Sequence, residues 1–150
     1  MNNIKINFEI AYDELLRAGD FYGIEIPEKG KLSTDSEDPA YTPYIDVIEL
    51  LKDGRLVVNE TGEIIQQLTK APDMVSAILI DGGLKWHIIT AGDYRKIMTQ
   101  AKGATQSGEA IERICMLAAL SMKIGDHAFN KFSKKDLGVA MKVGVLFLMD

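Results

Sequence analysis

The sequence is short of the residues that most often carry chemistry. Its 150 residues include one cysteine, Cys115, and two histidines, His87 and His127. A single thiol excludes an internal disulfide and every zinc site built from several thiolates. It also leaves few nucleophile–base pairs, because such sites set a Ser, Cys or Thr within hydrogen-bond reach of a base. No Gly-x-Ser-x-Gly elbow and no Gly-Lys-Ser/Thr phosphate loop occurs. No apolar run approaches the roughly 20 residues that span a bilayer. The opening MNNIKINFEI lacks a basic segment followed by a long apolar stretch, so a secretory signal is not expected. Lys and Arg number 17 against 22 Asp and Glu, a net charge of -5. A phosphate-binding surface needs concentrated positive charge, so nucleic acid is not an expected partner. The expectation is a cytoplasmic protein with no catalytic residue, cofactor or metal, and no membrane span.

Apolar residues make up 47% of the chain and charged residues 26%, enough for one folded domain with its own core. The charge is uneven. Residues 1–72 carry net -7 and residues 73–150 net +2, so an acidic N-terminal part and a C-terminal part are expected within residues 1–150.

Hydrophobic spacing supplies the elements. IKINFEI alternates, with Ile4, Ile6, Phe8 and Ile10 on one side, and predicts a half-buried strand. YDELLRAG predicts a short helix ending at Gly19, and FYGIEI a second short strand stopped by Pro27. Residues 27–43 hold three prolines, no periodicity and the acidic knot Asp35, Glu37 and Asp38; they read as a long, exposed, mobile loop. The knot lacks the spacing of a calcium loop. YIDVIELLKDG predicts a helix. RLVVNETGEIIQQL stays open between a hairpin turning at Glu60-Thr61-Gly62 and a strand followed by a helix capped near Thr61. SAILIDGGLKWHIIT, about residues 75–90, predicts a β-hairpin, since glycine takes positive φ cheaply after Asp81.

The remainder reads as three helices. Thr90 caps the first through its side-chain oxygen and Asp93 returns the bond; this helix runs to about Ala101. Ser107 caps a second helix, about 109–122, with Ile111, Ile114, Cys115 and Ala118 at i, i+3, i+4 and i+7 and Leu117 and Leu120 widening the stripe. KIGDHAFNKF connects it to a last helix, about 134–148, where Ser133 and Asp136 repeat the Thr90–Asp93 cap. The fold class is therefore α+β: strands and short helices, a hairpin, then a three-helix C-terminal segment.

His87 falls on a strand face with Lys85 and Ile89, and His127 in a connector, which are structural positions rather than catalytic ones. Cys115 on its apolar stripe reads as an inert core residue. The C-terminus is the more informative segment. Val143, Val145, Leu146, Phe147, Leu148 and Met149 are too many apolar residues for one helical face, so the helix is buried or binds something. Met141, Val145, Leu146, Phe147 and Leu148 are accordingly the candidate partner-binding residues, with Thr90, Asp93, Ser133 and Asp136 as structural caps. Met116, Met122, Met141 and Met149 suit an adaptable apolar surface.

From the hairpin onward the parts follow in a set order. The hairpin leads into ITAGDYRKI with its Thr-x-x-Asp, then comes a polar gap and EAIERICMLAALS. A short connector precedes SKKDL, and the final helix ends in VLFL. In this arrangement residues 84–150 resemble the bacteriophage tail assembly chaperones of Mu-like contractile-tailed phages and related tail-like particles. The resemblance implies a non-enzymatic protein in the host bacterial cytoplasm. It would bind an apolar helical partner such as a tape-measure protein and be absent from the finished tail. A structural component of such a particle and an unrelated regulatory interaction domain are the alternatives, and self-association is a second use of the same apolar surface.

Overall fold

Asn7 decides how the chain begins. In a computed structural model, which describes residues 5–32, 37–100 and 106–148, residues 5–7 are extended and helix α1 spans Phe8–Tyr22. The Asn7 side chain accepts the Ile10 N–H at 2.9 Å, satisfying one of the free donors of the first turn. The predicted strand over 4–10 is therefore corrected to a lead-in and a helix. Alternation lasted only four apolar residues, of which Ile4 lies outside the described residues. From Phe8 on, the longer period wins: Ala11, Tyr12, Leu15 and Ala18 are buried, while Ile10 and Leu16 are exposed. The second predicted strand, FYGIEI, is also absent. Tyr22 closes the helix and the Ile24 N–H returns to the Gly19 carbonyl at 2.8 Å, so Ile24 and Ile26 pack on the core as irregular chain.

The 27–43 segment is not wholly exposed. It contains a 3-10 turn at Lys29–Lys31 and then Leu32, which is fully buried in the main core. Asp35 lies outside the described residues; Asp38 accepts the Ala40 N–H at 2.9 Å, a local turn bond. Helix α2 spans Thr42–Lys52 as the spacing predicts, with Pro43 in its first turn, where a missing N–H costs nothing.

The open reading of residues 55–67 resolves as a hairpin. Strands β1 (Leu56–Val58) and β2 (Ile64–Gln67) pair antiparallel. The Asn59 side-chain oxygen accepts the N–H groups of Thr61, Gly62 and Glu63 at 3.1, 3.0 and 2.9 Å, which ties the turn and removes the donors a helix would need. Gly62 sits at φ 106, and a Cβ there would lie 2.6 Å from the Arg17 carbonyl, so this turn can lie against α1 only as glycine. Helix α1 also closes the outer edge of β1: Arg17 donates to the carbonyls of Val58 and Asn59 at 2.9 and 2.8 Å.

The hairpin expected at 75–90 keeps its turn and loses its first arm. Asp81 and Gly82 both take positive φ, 49 and 83, and Ile80 and Gly83 exchange both backbone bonds. Residues Asp73–Ile78, however, form a 3-10 helix. Strand β3 (Gly83–Lys85) finds its ladder on β2 instead, giving a three-stranded antiparallel sheet in the order β1-β2-β3.

Four helices complete the chain: α3 (Ala91–Gln100), α4 (Gln106–Ser121), the short α5 (Asp126–Phe129) and α6 (Lys134–Leu148). The α+β class and the helical C-terminal segment agree with the sequence pattern. Neighbouring helices run in the row α1, α2, α6, α4, α3, and β1 packs on α1 and α2. One main core draws residues from both halves of the chain, from Ala11 to Leu146. Helix α6 lies inside the row, which is why its apolar residues exceed one face. At its crossing with α4, a Cβ on Gly144 would stand 2.9 Å from Ile114 Cγ2, so glycine lets these two helices approach.

The start of α6 is fastened to the end of β2 by a buried polar cluster. Asp136 is 1% exposed. Its carboxylate accepts the Thr69 N–H at 2.9 Å, the Thr69 hydroxyl at 3.1 Å and the Lys70 N–H at 3.3 Å. Gln66, also buried, donates to the Asp136 carbonyl at 2.8 Å and accepts the Trp86 indole N–H at 3.4 Å. Truncation of Asp136 strands several of these groups. Asp136→Ala is expected to lower stability by about 3 kcal/mol in urea unfolding. Ser121 gives the contrasting case. Its hydroxyl is buried without a hydrogen-bond partner among the described residues, so Ser121→Ala is expected to be neutral or to stabilise by up to about 1 kcal/mol.

Candidate functional site

The cap residues fall where the spacing places them, with one difference. The Asp93 N–H donates to Thr90 Oγ1 at 3.1 Å and the Thr90 N–H reaches Asp93 Oδ2 at 3.4 Å, so Thr90-Ala91-Gly92-Asp93 is a helix start on the surface. At α6, Ser133 accepts the Asp136 N–H at 3.1 Å. The Asp136 carboxylate does not complete a local box; it serves Thr69 and Lys70, because a buried carboxylate takes the nearest unpaired donors. Helix α4 begins at Gln106, and the Ser107 side chain lies outside the described residues.

Cys115, His87 and His127 lie on three separate segments: α4, the chain beyond β3, and α5. No group of three or more His, Cys, Asp or Glu suited to a metal ion occurs among the described residues, and no helix among them is long and apolar enough to cross a membrane. The Cys115 thiol is pushed above its ordinary range by burial and by Glu112, which keeps it a poor nucleophile. His127 is exposed on α5. His87 continues the line of β3, and its backbone N–H donates to the Ser121 carbonyl at 2.6 Å. Burial, then the charges of Lys123 and Lys85, hold its imidazole below the ordinary 6.5, against an opposing pull from Glu63. Glu63 itself is held low by the Asn59 amide and by Lys85, 3.0 Å away.

What the fold does assemble is an apolar surface around α3. The floor is made by α4 and α6. Leu117 and Phe147, with Tyr22, Ile24 and His87, line an opening of about 200 Å³ of mixed polar and apolar character, and Ile114, Val145 and Leu148, with Arg113, line a second, mainly apolar one of about 320 Å³. Tyr94 borders both, and Met98 lines the second. Ile88, 58% exposed, lines the first opening, and Ile111, 51% exposed, lies on α4 one turn before Ile114. Helix α3 enters this surface through Ile97, which is fully buried against Met116 and Leu117 in a small cluster separate from the main core. One such side chain is worth about 1.5–3 kcal/mol, a light attachment for a whole helix.

The candidate C-terminal residues divide between core and surface. Leu146 is 1% exposed and belongs to the main core. Phe147 is half-buried, with ring centres 4.8 Å from Tyr22 and 5.3 Å from Trp86, so most of its surface is spent inside the protein. Val145 and Leu148 line the second cavity, and Met141 and Val145 line a third, of about 420 Å³, with Pro39 and Pro43. Tyr94, Met98, Ile111 and Ile114 were not among the sequence candidates for this surface. The spacing of Tyr94, Ile97 and Met98 at i, i+3 and i+4 was a usable signal for the α3 part. The α4 part was not legible, because the stripe of Ile111, Ile114 and Cys115 looked like core. In the fold the buried part of α4 is its C-terminal half, Met116–Ala119, Ser121 and Met122, while Ile111 nearer its start is exposed.

Residue His87 carries the pH dependence that can be read from this site. Its folded value lies below the unfolded 6.5, so the unfolded chain takes up the proton more readily. This contribution leaves stability intact above 6.5 and reduces it as pH falls through that value. The His87 imidazole is expected to titrate below 6.5 by NMR, and His87→Gln to flatten the fall in urea midpoint between pH 7 and the folded value.

No family model, curated protein or solved structure matches the chain.

Proposed function

We propose that this protein is a non-enzymatic assembly chaperone or adaptor of a phage-type tail, which holds an apolar helix of its partner against the α3–α4–α6 surface. The observation that carries this reading is the mainly apolar cavity between α3, α4 and α6, lined by Tyr94, Met98, Ile114, Val145 and Leu148 together with Arg113. A long apolar helix aggregates in water, and a small protein can shield it by offering a groove that takes side chains repeating at helical spacing. Methionine at the rim, Met98, lets such a groove accept varied side chains. The order of hairpin and helices in residues 84–150, resembling that of tail assembly chaperones, supplies the partner class: a tape-measure-like helix, met in the host cytoplasm before the tail tube closes around it.

The test is retention of that partner on the tagged chain in cells producing the native system, with mass spectrometry of the retained proteins and a blot of finished particles. Wild type is expected to retain one long helical protein and to be missing from mature particles. Met98→Asp and Ile111→Asp, both on exposed positions, are expected to reduce retention at least about tenfold while leaving the urea midpoint within about 0.5 kcal/mol of wild type. Leu146→Asp is expected to unfold the chain and so reports on the core. Presence of the chain in mature particles would make it a structural component. Retention unchanged by both surface substitutions would remove this surface from the mechanism.

A further inference from the structure

Strand β3 is an edge of the sheet, and its hydrogen bonds show how much of that edge is open. The Trp86 N–H donates to the Ile64 carbonyl and the Leu68 N–H to the Gly82 carbonyl, so Gly82, Leu84 and Trp86 turn their backbone groups toward β2. Gly83, Lys85 and His87 therefore turn theirs away. Gly83 exchanges both bonds with Ile80, at 2.9 and 2.8 Å, and the His87 N–H meets the Ser121 carbonyl. Between them, the Lys85 N–H and carbonyl have no backbone partner among the described residues. The open edge is one rung long, too short for a strand from another molecule.

The chain that enters the turn is matched to this rung. Asp81 and Gly82, at φ 49 and 83, form the two-residue turn that sets Ile80 opposite Gly83, and the same register sets Leu79 opposite Leu84 and Ile78 opposite Lys85. Leu79 is already extended, at φ -68 and ψ 140, and packs on the main core that contains Leu84. In that register Ile78 joins the row Val57, Ile65 and Lys85 on the outer face of the sheet. Ile65 is buried yet belongs to neither core; it leans over Gly83, where an added Cβ would stand 2.6 Å from its Cγ2. Residues 76–78 alone depart from the strand. They close a 3-10 run of six residues, longer than such turns usually last, in which Val75 is buried and Met74 and Ile78 are exposed.

We propose that residues 76–80 are a strap with two states, the 3-10 form and a fourth strand closed on the outer edge of β3. In the closed state the Ile78 N–H donates to the Lys85 carbonyl and the Ile78 carbonyl accepts the Lys85 N–H. The ladder stops there, because Ser121 already holds His87. Closing replaces poorly aligned 3-10 bonds by two ladder bonds, lays Ile78 along the Lys85 stem and removes the open edge. Val75 opposes it. A strand rises about 3.3 Å per residue and a 3-10 turn about 2.0 Å, so straightening residues 76–78 pushes against the seat of Val75 in the main core. The strap lies on the sheet and is independent of the helix-binding reading.

The experiment compares the full 15N-labelled chain as wild type, Ala77→Pro and Ile78→Ala by NMR. Proline at 77 drives Ser76 toward extended backbone and removes an N–H that the closed strand turns away from β3, so it favours closing. Alanine at the exposed position 78 removes the β-branch and favours the 3-10 form. Wild type is expected to show an NOE between the amide protons of Ile78 and Lys85, the close pair of the closed ladder. Exchange of the Lys85 amide is expected to be several-fold slower in Ala77→Pro and several-fold faster in Ile78→Ala than in wild type, with the Leu84 amide, which faces β2, unchanged in all three. Absence of that NOE from both wild type and Ala77→Pro, or one Lys85 rate in all three chains, overturns the strap. A Leu84 amide that quickens together with Lys85 in Ile78→Ala reports loosening of the whole sheet and overturns it equally.

Discussion

The carboxylate of Asp136 joins Thr69 to the first turn of α6, across 67 positions of sequence. A charge removed from water is tolerable only when its lone pairs are met, and here two backbone N–H groups and a hydroxyl meet them at the positive end of a helix. Gln66 fastens the same turn from the strand side and holds the Trp86 indole with its other atom. The start of α6 is thereby set in fixed register with β2. Everything packed along α6 inherits that position: α2 on one flank, and α4 on the other at the close crossing allowed by Gly144.

The far end of α6 is held by rings instead of polar groups. Phe147 sits between Tyr22 at the end of α1 and Trp86 beyond β3. The Tyr22 hydroxyl accepts the Ile64 N–H at 2.8 Å and donates to the Trp86 carbonyl, filling a rung where the sheet would otherwise leave both groups buried and unpaired. Burial raises the tyrosine's ionisation well above its ordinary range, which keeps that proton available as a donor. A polar clasp at one end and an aromatic one at the other hold α6 beneath the surface around α3. Among its described residues, helix α3 has neither kind of clasp: its Thr90–Asp93 bonds are local to its own first turn, and it buries Ile97 against α4.

Legibility followed the range of the interactions involved. Helices α2, α3, α4 and α6 were readable because 3.6-residue spacing is local, and the Thr90–Asp93 box at α3 formed as written. The first strand was misread because four alternating residues cannot outweigh a longer helical period once Asn7 caps it. The hairpin at 75–90 lost an arm because β3 had a better ladder on β2 than on residues 73–78, a choice that depends on a strand some 20 residues earlier. Among the candidate surface residues, Val145 and Leu148 line the cavity beside Tyr94 and Met98, while Leu146 turned to the core. Residues adjacent on one helix point about 100° apart, and which of them meets solvent depends on the neighbours.

Composition and spacing were enough for the α+β class, the run of C-terminal helices, the turn at Asp81-Gly82 and the scarcity of groups able to build a reactive centre. These are properties of short stretches, set by backbone preference and by the side chains a stretch contains. The role of Asp136 as a clasp to Thr69, the partition of α6 between core and surface, and the light seating of α3 all required distant segments to meet. A capping pattern looks the same whether its carboxylate turns inward or outward, and an apolar stripe looks the same whether it is covered. Burial is a relation between segments, so it came into being only when the helices packed.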